Sequence, residues 1–408
     1  MKKITLLLTL LASGYLFSQE NQPNLKIFLN CNYCDETYIK QNLTFVEFVR
    51  DQKFADVILL FRTQQNGSGA DTYEIEFTGQ NNYNEIQDKL IFSTNADNTD
   101  NEVRDLIFKN IKLGLIRYWI KNGKQDKITI QIEKEISGPI EDEKDPWNKW
   151  VFNLGIDGFF YGQETSQDEN LSFSATVKQV TEKNKFYLRA RLNNSKSVFT
   201  YDNVDIISKR KSTNINLYDV VSINSHWSVG AFATVGKSTY NNYSFYSSFK
   251  PAIEYNFFSY KDSSKKQLTI SYKIGGIQNN YAEKTIFNKE KEFLWEHGLN
   301  LGGSVKQNWG NITSEVSYQS FLHDSDLNQF SFHLGTNFRI LKGLSFNISG
   351  NYSITDNQIN LAGRNLSLEE LLLRQQQVKS GYNYFISTGL NYSFGSIYNT
   401  IVNPRFNF

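Results

Sequence analysis

Leu344-Ser345-Phe346-Asn347-Ile348-Ser349-Gly350-Asn351-Tyr352-Ser353-Ile354-Thr355 alternates between apolar and polar residues along its length, with Gly350 as the gap in the apolar parity. The next such stretch repeats the pattern, with Tyr382, Tyr384, Ile386, Leu390, Tyr392 and Phe394 against Asn383, Ser387, Asn391 and Ser393. A half-buried soluble strand also alternates. Such strands rarely exceed ~10 residues, whereas a tilted strand needs ~9–11 to cross hydrocarbon alone. Many stretches here run longer, and their polar parity is rich in Ser, Asn and Gly. This pattern suits an apolar wall around a polar interior.

Working outward, strands are expected near 150–163, 170–181, 184–200, 209–224, 227–238, 243–258, 267–279, 292–308, 311–322, 328–340, 344–356 and 379–394. Tight turns follow at Glu182-Lys183, Asn224-Ser225, Trp309-Gly310 and Lys342-Gly343, with a moderate link at Lys261–Lys266. The alternate links are expected to be longer, notably Asn280–Lys291 and Asp356–Lys379. Short turns at one rim and long loops at the other are the mark of a transmembrane barrel whose short turns face the periplasm. The expected fold is an α+β N-terminal domain followed by an all-β, up-and-down antiparallel transmembrane barrel of about 12 strands. An even strand count puts both barrel ends on the same side as the preceding domain.

The 408 residues allow two domains. Lys2 and Lys3 precede the apolar run Ile4–Leu11, and small residues follow up to Ser18, so residues 1–18 read as a secretory signal peptide. No Cys stands at that site to make a lipoprotein. No later stretch approaches ~18 consecutive apolar residues, which excludes a helical span. Removing the two signal lysines from 43 basic residues leaves 41 against 42 acidic ones. That balance speaks against nucleic-acid binding. An aromatic content of 15% beside negative mean hydropathy fits aromatic girdles around a polar lumen.

Residues 24–138 lack the long alternation and are expected to form the α+β domain, joined by a 139–149 linker to a barrel over 150–394, with a 395–408 tail. Leu25–Leu29, Ala55–Thr63, Thr72–Gly79 and Ile128–Ile132 read as strands, and Asp35–Gln41 as a helical turn. Thr99 and Glu102 form a capping box for a helix reaching about Lys121. Asn66-Gly67-Ser68-Gly69 is not followed by Lys-Ser/Thr and reads as a hairpin turn rather than a phosphate loop. Cys31 and Cys34 are the only cysteines. In an exported chain a structural disulfide is the plainer reading than a redox or metal half-site.

The signal peptide, the alternating strands, the loop asymmetry and the aromatic strand Leu390-Asn391-Tyr392-Ser393-Phe394 together resemble outer-membrane β-barrel proteins of Gram-negative bacteria. The resemblance covers roughly the last 60% of the chain. It implies a cell outer-membrane location, contact with outer-membrane lipid and insertion by the barrel-assembly machinery. The insertion signal lies either in that strand or in the tail ending Arg405-Phe406-Asn407-Phe408. In element order alone, residues 24–138 resemble small periplasmic α+β modules such as the N-terminal domain of TolB. That likeness implies a periplasmic domain that either binds another envelope protein or plugs the barrel mouth.

By parity the lumen receives Asp157, Lys178, Arg189, Arg191, Lys250, Glu254, Lys273, Glu296, Lys306, Glu315, His333 and Arg339. Charged side chains facing lipid at mid-depth cost ~2–4 kcal/mol for Arg or Lys. Their inward placement therefore serves either a structural charge network or a solute path. Asp219 breaks the pattern by sharing parity with Ile215, Leu217 and Val221, and a bulge would explain it. Two function classes follow: an envelope anchor, scaffold or narrow pore, and a solute channel. A third, an outer-membrane phospholipase or protease, has its candidates in the outward pair His297 and Ser320. His226 and Ser228 are placed wrongly for it, at a short turn and on the inward parity. No cofactor is expected. The spacing of Asp97, Asp100 and Asp105 fails for calcium, and His297 with His323 lacks a third metal ligand. Within Asp356–Lys379, Ser367 and Glu370 form a capping box for a short helix with Leu368, Leu371 and Leu372 as its stripe. Alone it is too short to be stable, so it must rest on the lumen mouth as a lid, on lipid or on a partner.

Overall fold

The computed structural model describes residues 23–131, 145–202, 204–307, 309–341, 343–364, 375–395 and 405. The signal segment, most of the linker, most of the tail and the 367–374 part of the expected surface helix lie outside these residues.

The N-terminal region is a five-stranded mixed sheet with two helices. Its strands are β1 (Leu25–Asn30), β2 (Val46–Phe48), β3 (Val57–Gln65), β4 (Asp71–Gly79) and β5 (Gln87–Ser93), in the order β2-β1-β3-β4-β5. β1 pairs in parallel with β2 and β3, and the β3–β4 and β4–β5 pairs are antiparallel. Helix α1 spans Glu36–Asn42 and α2 spans Asp100–Lys121. The Thr99–Glu102 capping box forms, with the Thr99 amide donating to Glu102 Oε2 over 2.8 Å.

One face of this sheet is the core. Leu25, Ile27, Val57, Leu59, Phe61, Ile75 and Phe77 pack against Ile107, Ile111, Leu115 and Tyr118 of α2. Gly114 is where α2 comes closest, because a Cβ there would lie 2.0 Å from Phe77 Cζ. The glycine-rich turn is a hairpin as expected. Asn66 Oδ1 accepts from the amides of Ser68 and Ala70, and Gly69 takes a φ of +92°. Cys31 and Cys34 lie side by side with Cα atoms 5.8 Å apart, within disulfide reach.

Two expectations fail here. Residues 128–131 form no strand, and Ile130 is exposed, because the segment leaves the turn Gln125–Lys127 without reaching either edge strand, β2 or β5. β5 itself was missed. Its alternation runs through Asp88, Leu90 and Phe92, and one charged residue among three masked the apolar face.

The rest of the chain is a twelve-stranded, all-antiparallel meander running in strict order from β6 to β17. Its strands are β6 (Trp150–Gln163), β7 (Ser166–Val180), β8 (Asn184–Tyr201), β9 (Val204–Ser222), β10 (Trp227–Ser238) and β11 (Tyr243–Asn256). They continue with β12 (Lys266–Tyr281), β13 (Lys291–Gln307), β14 (Gly310–Phe321), β15 (Asp324–Leu341), β16 (Leu344–Thr355) and β17 (Tyr382–Tyr392). The sheet curls as in a β-barrel, since side chains of strands from β10 to β17 line a single cavity. β6 and β17 are its edges, and no ladder joins them among the described residues. The convex face is apolar and exposed, as at Leu154, Ile156, Phe249 and Leu390. An apolar outer face around a polar inner one is the pattern of a transmembrane barrel wall.

The link lengths correct the sequence reading. β7, β9 and β15 begin earlier than expected, so the β6–β7, β8–β9 and β14–β15 links shrink to two residues each. The stretches at 166–169 and 204–208 continue the ladders as protruding hairpins instead of forming loops, and at 324–327 Asp324 pairs with Phe321 beyond a register shift. At this rim only 282–290 and 356–381 remain long. The Asp219 expectation also fails. The β8–β9 and β9–β10 registers pass through Asp219 without a shift, so there is no bulge. Asp219 lies opposite Phe186, next to the short-link rim, and accepts from Asn184 Nδ2 at 2.7 Å. An outward carboxylate costs little at that depth.

Candidate functional site: a lumen closed by its own chain

At the long-link rim, the link after β16, described at 356–364 and 375–381, reaches the β12–β13 link, the β10–β11 link and β9. It bridges first to the β12–β13 link, where Ala362 pairs with Thr285 and the Ile286 amide donates to the Leu361 carbonyl over 2.9 Å. Arg364 Nε meets Glu283 Oε2 at 2.6 Å. The Gln377 amide then reaches the Tyr240 carbonyl at 2.9 Å, and Gln375 Nε2 reaches the Ile207 carbonyl of β9 at 3.2 Å. Ile359, Asn360 and Leu361 are buried by this path. Asn242, also buried, donates to the carbonyls of Glu283 and Asn360 and so ties three links together.

Beneath the link after β16 lies a cavity of 930 Å³. Its lining is almost entirely uncharged: Tyr240, Tyr246, Asn279, Gln319, Gln329, Asn357, Gln358, Asn360 and Gln377 among others. The one carboxylate in the lining, Glu296, is held by Lys250 Nζ at 2.6 Å.

At the short-link rim, the second face of the mixed sheet meets the barrel strands. Arg62 is buried there and bridges Glu74 at 2.7 Å and Glu76 at 2.6 Å. Glu76 also pairs with Lys265 of the β11–β12 link at 3.7 Å, and Gln64 Nε2 donates to Ser263 Oγ at 3.2 Å. The Arg339 guanidinium lies 4.7 Å from the Phe28 ring centroid. Leu60 shares a small cavity with Lys306, Trp309 and Arg339. The β3–β4 turn comes so close to β7 that a Cβ on Gly69 would sit 2.7 Å from Lys178 Nζ. Burial pulls the Glu76 carboxyl upward, but the Arg62 hydrogen bond and charge, with Lys265 beside it, outweigh this and hold it below the usual range.

The twelve charged residues assigned to the lumen by parity are distributed as follows. Lys250 and Glu296 are brought together. Lys178, Lys306 and Arg339 stand where the N-terminal domain arrives. Glu315 lies opposite His333 and accepts from Asn300 at 2.5 Å. Lys273 sits 3.9 Å over the Phe232 ring, and Glu254 accepts from Tyr260 at 3.3 Å. Arg191 donates to Ser172 Oγ at 3.3 Å, while Asp157 and Arg189 lie opposite Ser172 and Thr176. Lys265, Glu76 and Arg62 were not singled out by sequence. They lie outside the alternating strands, and only the docked fold relates them.

The outward pair His297 and Ser320 are direct cross-strand partners. Their polar atoms engage other groups, however. His297 Nδ1 meets the Tyr272 hydroxyl at 3.2 Å, and buried Ser320 donates to the Phe321 carbonyl at 3.3 Å. Among the described residues no cluster of three ligands adds a metal site to His297 and His323.

No family model and no curated protein matches the chain. Among solved structures, the NanC porin is similar at 9% identity over 59% of this chain and 100% of its own, with a TM-score of 0.30. The translocator domain of the autotransporter NalP from Neisseria meningitidis matches at 10% identity over 60% of this chain and 87% of its own, with a TM-score of 0.24. CdiB from Acinetobacter baumannii matches at 7% identity over 82% of this chain and 59% of its own, with a TM-score of 0.27. Likenesses this distant add nothing to what the ladders establish, a twelve-stranded antiparallel sheet of β-barrel type behind a mixed α/β region.

Proposed function

We propose that this chain is an integral outer-membrane barrel that works as an envelope anchor or narrow, self-closed pore, with residues 24–138 on the periplasmic side. The observation that carries this reading is the link after β16, whose contacts run from Thr285 to Ile207 of β9. A free surface loop has no need of such contacts. A lid does. The mixed sheet at the opposite rim supports the same reading, because its Arg62–Glu76–Lys265 chain holds a domain against the mouth.

A solute channel is the second reading, favoured by the uncharged cavity under the lid. An open form of the same barrel would admit neutral polar solutes more readily than ions. Planar-bilayer recording tests both. The intact protein is expected to be nearly silent, and deletion of 365–376 should open steady conductance while folding persists, since loop length is thermodynamically cheap. Large conductance from the intact protein would reject the closed pore. Silence after the deletion would reject the lid.

A further inference from the structure

Charged side chains on the convex wall need a reason to be there, and four lysines stand on it together near the long-link rim. In the ladders Lys196 of β8 lies directly opposite Lys209 of β9, and Asn194 lies opposite Lys211. Lys237 of β10 lies opposite Thr213, one position along the same face from Lys211. All four share the parity of Ile215, Leu217 and Val235, which is the apolar, outward parity of these strands.

Like charges directly opposite on neighbouring strands repel. Nearby acids relieve this only at Lys196. Glu169 lies opposite Lys196, and Asp205 accepts from Thr200 at 2.7 Å. Among the described residues no ion pair joins any of the four lysines to a carboxylate.

Their depth is informative. At ~3.3 Å per residue and a tilt of ~40°, the climb from the Asp219–Ser222 rim to Lys211 is about 20–28 Å. The apolar band of such a wall is ~25 Å tall. The lysines therefore stand at its upper edge, at headgroup level. In the same ladder rows as Lys211 and Lys237, Leu171, Phe173 and Leu192 floor an outward groove of 360 Å³ that the two lysines flank. All three floor residues are exposed.

We propose that this groove binds a phosphorylated glycolipid of the outer leaflet, with acyl chains on Leu171, Phe173 and Leu192 and phosphates among Lys196, Lys209, Lys211 and Lys237. The inference rests on the outer-membrane reading, with the long-link rim facing outward. Phosphate supplies the counter-charge that Lys209, Lys211 and Lys237 lack in their ladders. The apolar floor supplies what free phosphate cannot use.

The test is native mass spectrometry of the detergent-purified full-length protein, titrated with bis-phosphorylated lipid A, its dephosphorylated form and inorganic phosphate. The wild type is expected to retain one bis-phosphorylated lipid A. K209Q/K211Q/K237Q should lose about tenfold or more in retention, as expected when basic charges near an anionic surface are removed. Dephosphorylated lipid A should bind the wild type as poorly, and inorganic phosphate at the same concentration should not displace the lipid. A second variant, F173S/L192S, should weaken lipid retention with the lysines intact. Equal retention by the triple variant, equal binding of dephosphorylated lipid A, or displacement by inorganic phosphate would each overturn the proposal. A heat-modifiable gel shift run on the same samples separates the two levels. A sample with the shift but no bound lipid rejects only the glycolipid site, whereas loss of the shift in the wild type rejects the barrel reading beneath it.

Discussion

Glu76 shows how little of the docking is visible one residue at a time. Its neighbours in sequence say only that it lies on the polar parity of β4, away from the α2-covered core. Its partners, Arg62 and Lys265, come from another strand and from a barrel link. The held-down Glu76 carboxyl gives the docked state a pH dependence with a definite sign. A depressed pKa contributes stability that is complete above the ordinary glutamate value of ~4.3 and is lost as pH falls through the docked-state value. Glu76 is partly exposed, so the contribution is modest. In the 365–376 deletion variant, channel events in planar bilayers should therefore grow more frequent as pH drops below about 4. Glu76→Gln in the same background should show the raised frequency already at neutral pH. An unchanged frequency in the variant would show that the Glu76 pairs do not hold the domain in place. Asp219 was legible as an anomaly but not as to cause, because parity reveals which face a residue takes and not how deep it sits.

Among the elements, strands with clean alternation and long helices with caps were readable, and short or mixed ones were not. β6 is bounded as its sequence suggests, and α2 starts at its capping box and ends at Lys121. β2 has only three residues, too few for a period to show. β7 and β15 begin with polar residues that look like a loop, and the Ile206-Ile207 pair at the start of β9 breaks the two-residue period, so their starts show only once the partner strand is known. The fit of α2 on its sheet yields a sharp expectation. Gly114 leaves no room for a methyl group against Phe77. Gly114→Ala gains helix propensity of about 1 kcal/mol but overpacks the interface by about 1–3 kcal/mol. The variant should lower the unfolding midpoint of the N-terminal domain in calorimetry of the detergent-solubilised protein. A raised midpoint would mean that α2 does not press on Phe77.

The whole molecule is a wall with one apolar face and a polar interior, with a link reaching over one rim and the mixed sheet against the other. The wall and its parity were legible because a two-residue period survives in the sequence of every long strand. A lid and a plug could be named from the sequence only as options, because each depends on contacts between distant segments, such as Gln375 with Ile207 and Glu76 with Lys265. The free edges of β6 and β17 bear directly on the central claim. Unpaired backbone groups in hydrocarbon cost several kcal/mol each, so in a bilayer the two edges must pair and shut the sheet into a barrel. Such a barrel resists detergent at room temperature and opens on boiling. The direct measurement is gel migration of the outer-membrane fraction, after urea washing, with and without boiling. The protein should stay with the membrane and migrate faster unboiled than boiled. Release by urea into the soluble fraction, with identical migration in both lanes, would contradict the membrane barrel.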